Sequence, residues 1–262
     1  MIVETKNNQE FEYIYGINAI IMLLEINAGH RKIYEIIISE RRKQDKRIQK
    51  ILKLASEKEI KVKIAGEQDF KSFAGEEKSI QNIIARVSSY NTGDLDHYLE
   101  NNIHPGLRLM MLDGITDIGN FGSIIRNCRS FGFDGIILAK KRSVALNRKV
   151  SNISAGALEG ISIFRVINLT RTIKRLKTAG LWIYGTTLEK DKSVQDVNNT
   201  DFILPLVLVM GSEDKGMSRI VADNCDVLVS IRLAGRMQSL NVSVASGIIL
   251  YYIQEKHRGN KV

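Results

Sequence analysis

The run Leu107–Asn127, LRLMMLDGITDIGNFGSIIRN, places an apolar strand, a turn with three glycines and an apolar helix in direct succession. Toward the C-terminus, apolar runs of five or six residues alternate with amphipathic helical patterns as far as Lys256. Apolar strands that alternate with helices predict a parallel, doubly wound sheet with both faces covered. In such a sheet, ligands bind beyond the carboxyl ends of the strands.

The same sequence pattern predicts two domains. Residues 13–90 are expected to form a small α/β domain, and residues 107–258 the larger one. Residues 91–106 are polar and contain Pro105, so they are expected to be a linker with one short helical turn. In the larger domain, strands are predicted at 107–112, 135–139, 161–166, 181–186, 206–210 and 227–231, and helices at 122–131, 169–179, 217–224 and 240–256. In the smaller domain, helices are predicted at 17–26 and through Ile48, Ile51, Leu52 and Ala55, and strands at 33–38, 60–65 and 82–87.

Composition favours a protein that binds nucleic acid or another phosphate polyanion and that lacks disulfides. The chain has 38 Lys and Arg against 29 Asp and Glu, a net charge of +9. The excess is clustered, because 30–63 holds twelve basic and five acidic residues and 139–158 holds no acid. Clustered positive charge favours contact with phosphates. The two cysteines are isolated and the four histidines lack metal-ligand spacing, so neither a disulfide framework nor a metal site is expected.

Other function classes lose support from the same sequence. No apolar run reaches membrane-spanning length, and acidic residues near the N-terminus argue against a targeting peptide. A cytoplasmic protein without membrane contact is therefore expected. No glycine-rich dinucleotide or P-loop signature follows the first strand of either domain.

Three polar junctions follow predicted strands of the larger domain: 113–127, 210–217 and 239–245. Taken alone, each has a structural interpretation. Asn120 and Ser239 are typical helix N-cap residues, with Asn241 then in the first helical turn. Glu213 is suited to a helix N-terminus, where the helix dipole favours an acid.

The order and residues of these junctions resemble the SpoU, or TrmH-like, RNA ribose 2′-O-methyltransferases over roughly Leu107 to Glu255. The family pattern Asn-x-Gly-x-x-x-Arg is matched by Asn120, Gly122 and Arg126, and Gly-x-Glu-x-x-Gly by Gly211, Glu213 and Gly216. The run SLNVSVA from Ser239 matches the family's cofactor loop. One departure is Ile118 after Asp117, where the family commonly has proline.

The resemblance implies a site and a cofactor. The implied cofactor is S-adenosylmethionine, and no metal is required. Because a guanidinium stays protonated, an arginine is better suited to stabilising a developing alkoxide than to acting as a base. The implied catalytic residues are Arg126, Asn120, Glu213, Ser239 and Asn241, and the implied cofactor-binding residues are Thr187, Gly211, Ile231 and Leu240.

The resemblance also implies the fold and the partners. The larger domain is expected to be a SPOUT-type, trefoil-knotted parallel sheet that forms a homodimer. The smaller domain is similar to the L30-like substrate-binding domain of this family, although only Gln81 matches its usual His-Gln-Gly element. Ser154–Glu159 resembles another family element near the RNA path, but a packed helix of small residues is an alternative.

The implied reaction is methylation of a ribose, expected at a guanosine of large-subunit ribosomal RNA. Two alternatives remain open on the sequence. One is a guanosine 2′-O-methyltransferase that acts on tRNA. The other is a non-catalytic RNA-binding or ribosome-assembly protein with the same fold.

Overall fold

The computed structural model describes residues 11–27, 29–42, 44–68, 70, 82–188, 193–235 and 239–258. Gln81 lies outside these residues. The chain divides into two compact units: Met1–Asn91 with Leu146–Gly160 form the first, and Thr92–Ala145 with Ile161–Val262 form the second. The first unit therefore takes in a segment that lies between two strands of the second.

The first unit is built on a four-stranded mixed sheet in the order β1-β4-β2-β3. Strand β4 is antiparallel to β1 and β2, whereas β2 and β3 are parallel. The predicted helix 17–26 is confirmed residue for residue. Strand β1 was not predicted from the sequence. The elements are β1 (Phe11–Tyr15), α1 (Ile17–Ile26), β2 (Ile33–Ser39), α2 (Lys46–Glu57), β3 (Val62–Ala65) and β4 (Ile83–Ser88).

Helix α2 contributes apolar side chains to the core of the first unit and basic side chains to its surface. Ile48, Ile51 and Ala55 recur at helical spacing and are fully buried against the core. The Asp45 side chain caps the helix by accepting a hydrogen bond from the Arg47 backbone N–H. Lysines and arginines of this helix therefore occupy its solvent-facing side.

The segment Leu146–Gly160 packs as part of the first unit. It forms helix α5 (Arg148–Ile153) and a 3-10 turn, Ala157–Gly160. Gly156 has φ of 86°, and a Cβ at this position would lie 2.6 Å from the Ala19 Cα. Only glycine permits both the backbone conformation and this approach to α1. Packing against α1 thus explains the glycine of the Ser154–Glu159 element, while its place near the RNA path stays a prediction.

A buried ion-pair cluster joins this segment to the sheet of the first unit. The Arg31 side chain is 0% exposed and forms ion pairs of 3.0 Å with both Glu12 and Glu159. The Ser151 hydroxyl donates to the Glu159 carboxylate, and Arg31 also donates to the Ser88 carbonyl at 2.7 Å. Buried charges are tolerated when they are paired and hydrogen-bonded in this way.

The second unit is built on a seven-stranded sheet in the order β7-β6-β5-β10-β8-β11-β9. Every pair of neighbouring strands is parallel, as the alternating pattern predicts. The strands are β5 (Arg108–Asp113), β6 (Gly135–Ala139), β7 (Ser162–Val166), β8 (Trp182–Thr186), β9 (Gln195–Asp196), β10 (Leu206–Gly211) and β11 (Val227–Ser230). The helices are α3 (Leu95–Asn102), α4 (Ile118–Ser130), α6 (Leu169–Thr178), α7 (Arg219–Ala222) and α8 (Val242–Lys256).

Two helix starts differ from the sequence expectation. Helix α4 begins four residues before Gly122, because the Asp117 carboxylate caps it by accepting from the Asn120 N–H at 2.7 Å. Helix α8 is capped by Asn241, which accepts from the Ser243 N–H at 2.9 Å. The predictions of Asn120 and Ser239 as N-caps are therefore wrong. Asn120 lies inside its helix, and Ser239 precedes the cap by two residues.

Smaller differences concern short elements. Helix α3 spans eight residues within the predicted linker, and the two-residue strand β9 was not predicted. Within the described residues, no helix is long and apolar enough to cross a membrane. In the same part of the chain no group of His, Cys, Asp or Glu is arranged to hold a metal ion. Both cysteines are free thiols.

Candidate active site

The first two polar junctions meet because their strands are neighbours. Strands β5 and β10 pair in parallel, with Asp113 opposite Gly211 at their carboxyl ends. The chain leaves β5 toward helix α4 and leaves β10 toward Glu213. Ligand sites in parallel sheets lie beyond such strand ends.

Three side chains from three junctions form one hydrogen-bonded cluster. Asn241 donates through Nδ2 to Asn120 Oδ1 at 2.9 Å and to Glu213 Oε2 at 3.2 Å. Asn120 donates through its own Nδ2 to Glu213 Oε2 at 3.3 Å. Three of the five proposed catalytic residues thus lie in direct contact. Both amide donors converge on one carboxylate oxygen, which orients the Glu213 side chain.

Each member of this cluster is positioned by its local structure. Asn120 lies in the first turn of α4, fixed by the Asp117 cap. Asn241 caps α8 with Oδ1 and therefore presents Nδ2 to the other two side chains. Glu213 lies in a tight turn closed by reciprocal backbone hydrogen bonds between Ser212 and Gly216, of 3.1 and 2.8 Å.

Gly211 is required where β10 passes into this turn. A Cβ at this position would lie 2.0 Å from both the Gly216 carbonyl carbon and the Met217 nitrogen. Those atoms are backbone and cannot move aside as a flexible side chain can. The close crossing of the turn over the end of β10 therefore depends on glycine.

Two positioning groups were not singled out from the sequence. The Asp113 carboxylate accepts from the Ser218 N–H at 2.8 Å and so ties the end of β5 to the segment after the Glu213 turn. Asn127 donates to the Ser243 carbonyl and the Ser246 hydroxyl, both at 2.9 Å, and joins α4 to α8. Neither contact has a local signature in the sequence. The cap of α4 does have one, because Asp117 stands three residues before Asn120.

Arg126 and Ser239 lie apart from the cluster. Arg126 is exposed on α4. Its side chain makes no hydrogen bond or ion pair within the part of the chain that the structure describes. Ser239 is half-buried and likewise forms no such contact there. Arg126 lies six residues beyond Asn120 on the same helix, which turns it to a different face.

The cofactor-binding candidates follow three adjacent strands. Thr187 follows β8, Gly211 ends β10 and Ile231 follows β11, and the sheet order places β8 between the other two. The Thr187 N–H donates to the Val229 carbonyl at 3.0 Å. Leu240 precedes the cap of α8, and its backbone groups have no hydrogen-bond partner in the described residues. Unused backbone donors and acceptors of this kind suit a cofactor held by backbone contacts.

A cleft of about 1140 Å³ opens beside the cluster. Asn120 and Glu213 lie in its wall, whereas Arg126 and Asn241 do not. The cofactor candidates do not line it either. Ile231 instead lines a separate cavity of about 310 Å³, together with Arg232 and Tyr252. The cleft and the cofactor candidates therefore occupy different parts of the sheet's carboxyl edge.

Neither cysteine of the second unit is suited to nucleophilic catalysis. Burial raises the pKa of the Cys225 thiol to about 12, and complete burial also raises the pKa of the Cys128 thiol. The nucleophilic form of cysteine is the thiolate. Chemistry that attacks through a cysteine is therefore disfavoured.

Comparison with known proteins agrees with this placement. The SpoU rRNA Methylase family model matches residues 107–251, and the model for RNA 2′-O ribose methyltransferase substrate binding matches residues 13–93. YacO of Bacillus subtilis, which carries the general name of a TrmH family tRNA/rRNA methyltransferase, is 34% identical over 95% of this chain and 97% of its own. The 23S rRNA (guanosine-2′-O-)-methyltransferase RlmB of Pectobacterium atrosepticum is 37% identical over 92% of this chain and 96% of its own.

A solved structure shares the fold. The SpoU methyltransferase AviRb from Streptomyces viridochromogenes, in complex with its cofactor AdoMet, superposes with a TM-score of 0.75. It is 24% identical, and the match covers 96% of this chain and 92% of AviRb. The expected SPOUT-type fold is thereby confirmed, while the trefoil knot stays a prediction. With the first family model matching more than half of its length, this chain belongs to the SpoU rRNA methylase family.

Proposed function

We propose that this protein transfers a methyl group from S-adenosylmethionine to the ribose 2′-hydroxyl of a guanosine in large-subunit ribosomal RNA. The observation that carries the proposal is the Asn120–Glu213–Asn241 cluster at the carboxyl ends of adjacent strands. Family membership supplies the reaction class. Relatives named for guanosine methylation of 23S rRNA, aligned over most of both chains, favour ribosomal RNA over tRNA.

The cofactor supplies an electrophilic methyl group on a positively charged sulfur. Backbone groups are proposed to hold it at the ends of β8, β10 and β11 (Thr187, Gly211 and Ile231) and just before the cap of α8 (Leu240). Methyl transfer forms a bond from the ribose oxygen to carbon and breaks the bond from carbon to sulfur. The neutral thioether S-adenosylhomocysteine leaves and the 2′-hydroxyl proton passes to solvent, so the positive charge of the sulfonium departs as that proton and the reaction requires no metal.

The proposed role of Arg126 is electrostatic. Its exposed guanidinium has no partner among the described residues and stays protonated. It is therefore available to pair with an RNA phosphate. Stabilisation of the alkoxide that develops as the proton leaves is the role that the family resemblance implies for it. Asn120, Glu213 and Asn241 are proposed to orient the ribose, because their hydrogen bonds fix the direction of each polar group. Ser239 is proposed to act beside Asn241.

Two further properties belong to this proposal. We infer a homodimer, as the family resemblance implies, with the cofactor site near the subunit interface. We also infer a cytoplasmic location, where ribosomal RNA is available as substrate. Size-exclusion chromatography with light scattering tests the first inference, and cell fractionation tests the second.

Arg126→Ala tests the proposed reaction. We expect kcat for methyl transfer to transcribed large-subunit rRNA to fall at least about 100-fold, the usual effect of removing one group that stabilises transition-state charge. The Kd for RNA should change far less. Arg175→Ala is the matched control, because Arg175 is also an exposed arginine of the second unit but is paired with Asp96.

Wild-type activity decides between the alternatives. Methyl incorporation into tRNA but not ribosomal RNA would replace the proposed substrate. Absence of incorporation into either RNA, with binding retained, would favour a non-catalytic RNA-binding protein. Retention of full activity by Arg126→Ala would remove the proposed role of that residue.

A further inference from the structure

The cleft beside the Asn120–Glu213 contact continues away from it along the sheet edge. From the ends of β10 and β5 its lining passes to Lys141 and Arg142 after β6, then to Ile167 after β7 and to Arg171 and Lys174 on α6. We call these five residues the basic arm. Strands β10, β5, β6 and β7 are consecutive in the sheet. At about 4.8 Å per strand, the arm reaches roughly 14 Å beyond the end of β10.

The charged side chains of the basic arm have no partner in the described part of the protein. Lys141, Arg142, Arg171 and Lys174 are exposed, and none forms a side-chain hydrogen bond or ion pair with the described residues. Arg171 and Lys174 are three residues apart on α6, so they share one face of the helix. The opposite face of α6 is buried through Ile173 and Leu176.

The acids at the other end of the cleft are mostly engaged in the protein's own structure. Asp113 accepts from Ser218, Asp117 caps α4 and Glu213 accepts from two asparagines. The exception is Asp214, which forms no such contact in the described residues, and the adjacent Lys215, also exposed in the cleft, carries the opposite charge. The cleft therefore has a structured polar end and an open cationic end. An anionic ligand would find its counter-charge at the cationic end.

Two aliphatic side chains are exposed within the same cleft. Ile167 is 85% exposed and Ile220, on α7, is 67% exposed. A single exposed aliphatic residue is ordinary on a protein surface. Two isoleucines beside four unpaired cations match a ligand that alternates flat apolar groups with phosphates. Isoleucine serves as such a wedge between nucleic-acid bases in other proteins.

We propose that the basic arm binds the nucleotides adjacent to the methylated one, as an unpaired single strand. Lys141, Arg142, Arg171 and Lys174 contact the backbone phosphates, and Ile167 packs against a base of the flanking nucleotide. The inference rests on the proposed function and extends it. RNA loops present splayed bases and phosphates in this way, whereas a paired helix keeps its bases stacked inside.

Binding and kinetics of the full-length protein on transcribed large-subunit rRNA test the proposal. For Arg171→Gln/Lys174→Gln we expect the RNA Kd and KM to rise on the order of tenfold, with kcat nearly unchanged. The slope of log K against log salt should become shallower by about 1.4, or about 0.7 for each lost single-strand phosphate contact. Affinity for S-adenosylmethionine should not change.

Matched controls lie close by in the same unit. Arg175→Gln removes a cation from the same helix, but this arginine is paired with Asp96 and lies outside the cleft. Ile167→Ser should raise the KM for RNA without changing the salt slope, because it removes an apolar contact and no charge. Ile103→Ser is its control, since Ile103 is 45% exposed and also outside the cleft.

Failure of this inference can be separated from failure of the proposed reaction. If wild type methylates the rRNA but both arm variants keep wild-type KM and salt slope, the basic arm does not bind RNA. An equal effect per removed charge in Arg175→Gln, about half that of the double variant, would overturn the assignment in favour of general surface charge. If wild type transfers no methyl group, the proposed reaction fails, while RNA binding by the arm variants still tests the arm.

Discussion

Arg31 in the first unit and Arg171 in the second carry the same guanidinium in opposite surroundings. Arg31 is fully buried between Glu12 and Glu159, whereas Arg171 is exposed and has no side-chain partner in the described residues. A buried, paired charge contributes to structure, and its removal leaves another charge uncompensated. An exposed, unpaired charge leaves the fold almost unaffected and is free to bind a ligand. The two arginines thus illustrate a structural charge and a charge available for binding.

The largest effect should follow from breaking the buried cluster. Arg31→Met leaves Glu159 buried without a cation and should lower the free energy of unfolding of the first unit by about 3–5 kcal/mol. Hydrogen exchange of peptides from β1, β2 and β4 measures this directly. The chain has one tryptophan, Trp182, so its fluorescence follows the second unit in the same sample.

Lys50→Met is the control for that experiment. Lys50 pairs with Glu25 at the surface, with side chains 52% and 35% exposed, and such pairs contribute about 0–1 kcal/mol. If the first-unit peptides of Arg31→Met and Lys50→Met are equally protected from hydrogen exchange, the buried cluster has no special structural role.

A smaller effect, on activity, should follow at the hydrogen-bonded cluster. Asn241→Asp keeps the oxygen that caps α8 but replaces the Nδ2 donor with a second carboxylate oxygen beside Glu213. The added negative charge displaces Glu213 from its orienting position, and such a small misplacement costs on the order of 100-fold, so kcat/KM should fall by about that factor. The midpoint of Trp182 fluorescence unfolding should move little.

Asn241→Ala sharpens the comparison, because it removes the cap as well as the donor. It should lose activity and about 1 kcal/mol of stability. If Asn241→Asp instead destabilises the second unit as much as Asn241→Ala does while activity persists, Asn241 is only a capping residue.

The smallest effect should be a pH dependence in the first unit. Burial, together with the neighbouring Arg31, lowers the pKa of His30 below 6.5. As the pH falls, the unfolded chain takes up a proton at His30 at a higher pH than the folded chain does. The free energy of unfolding is therefore retained above pH 6.5 and declines as the pH falls below it. His30→Phe preserves the stack on Tyr90 and removes the titration. Between pH 7.5 and 5.5 its β4 exchange should vary less than that of wild type, and parallel curves would exclude His30.

The sequence predicts the second sheet well because its signal is local. Each strand of the sheet's centre is an apolar run, so the positions of Asn120 and Glu213 beyond strand ends follow from periodicity. Their assignment to the site, and that of the cofactor candidates, came from the family resemblance. Helix starts were predicted less well. Asp117 and Asn120 are both acceptable caps by residue type, and only the three-dimensional turn after β5 selects Asp117.

Other features depend on pairs that are distant in the chain. Arg31 and Glu159 are 128 residues apart, and no periodicity links a residue before β2 to one that follows α5. Strand β1 was missed because its burial depends on pairing with β4 rather than on its own pattern. The family resemblance implied that Asn120 and Asn241 belong to one site, while their direct contact required the structure.

The hydrogen bond between Asn120 and Asn241 spans 121 residues, and this separation has a consequence during translation. At roughly 5–20 residues per second, the ribosome needs about 6–24 s to synthesise the chain between these two side chains. Strand β5 also cannot pair with β10, its neighbour at the centre of the sheet, until β10 has been synthesised. A nascent chain beside ribosomal RNA therefore has no complete Asn120–Glu213–Asn241 cluster until Asn241, at the start of α8, has been synthesised.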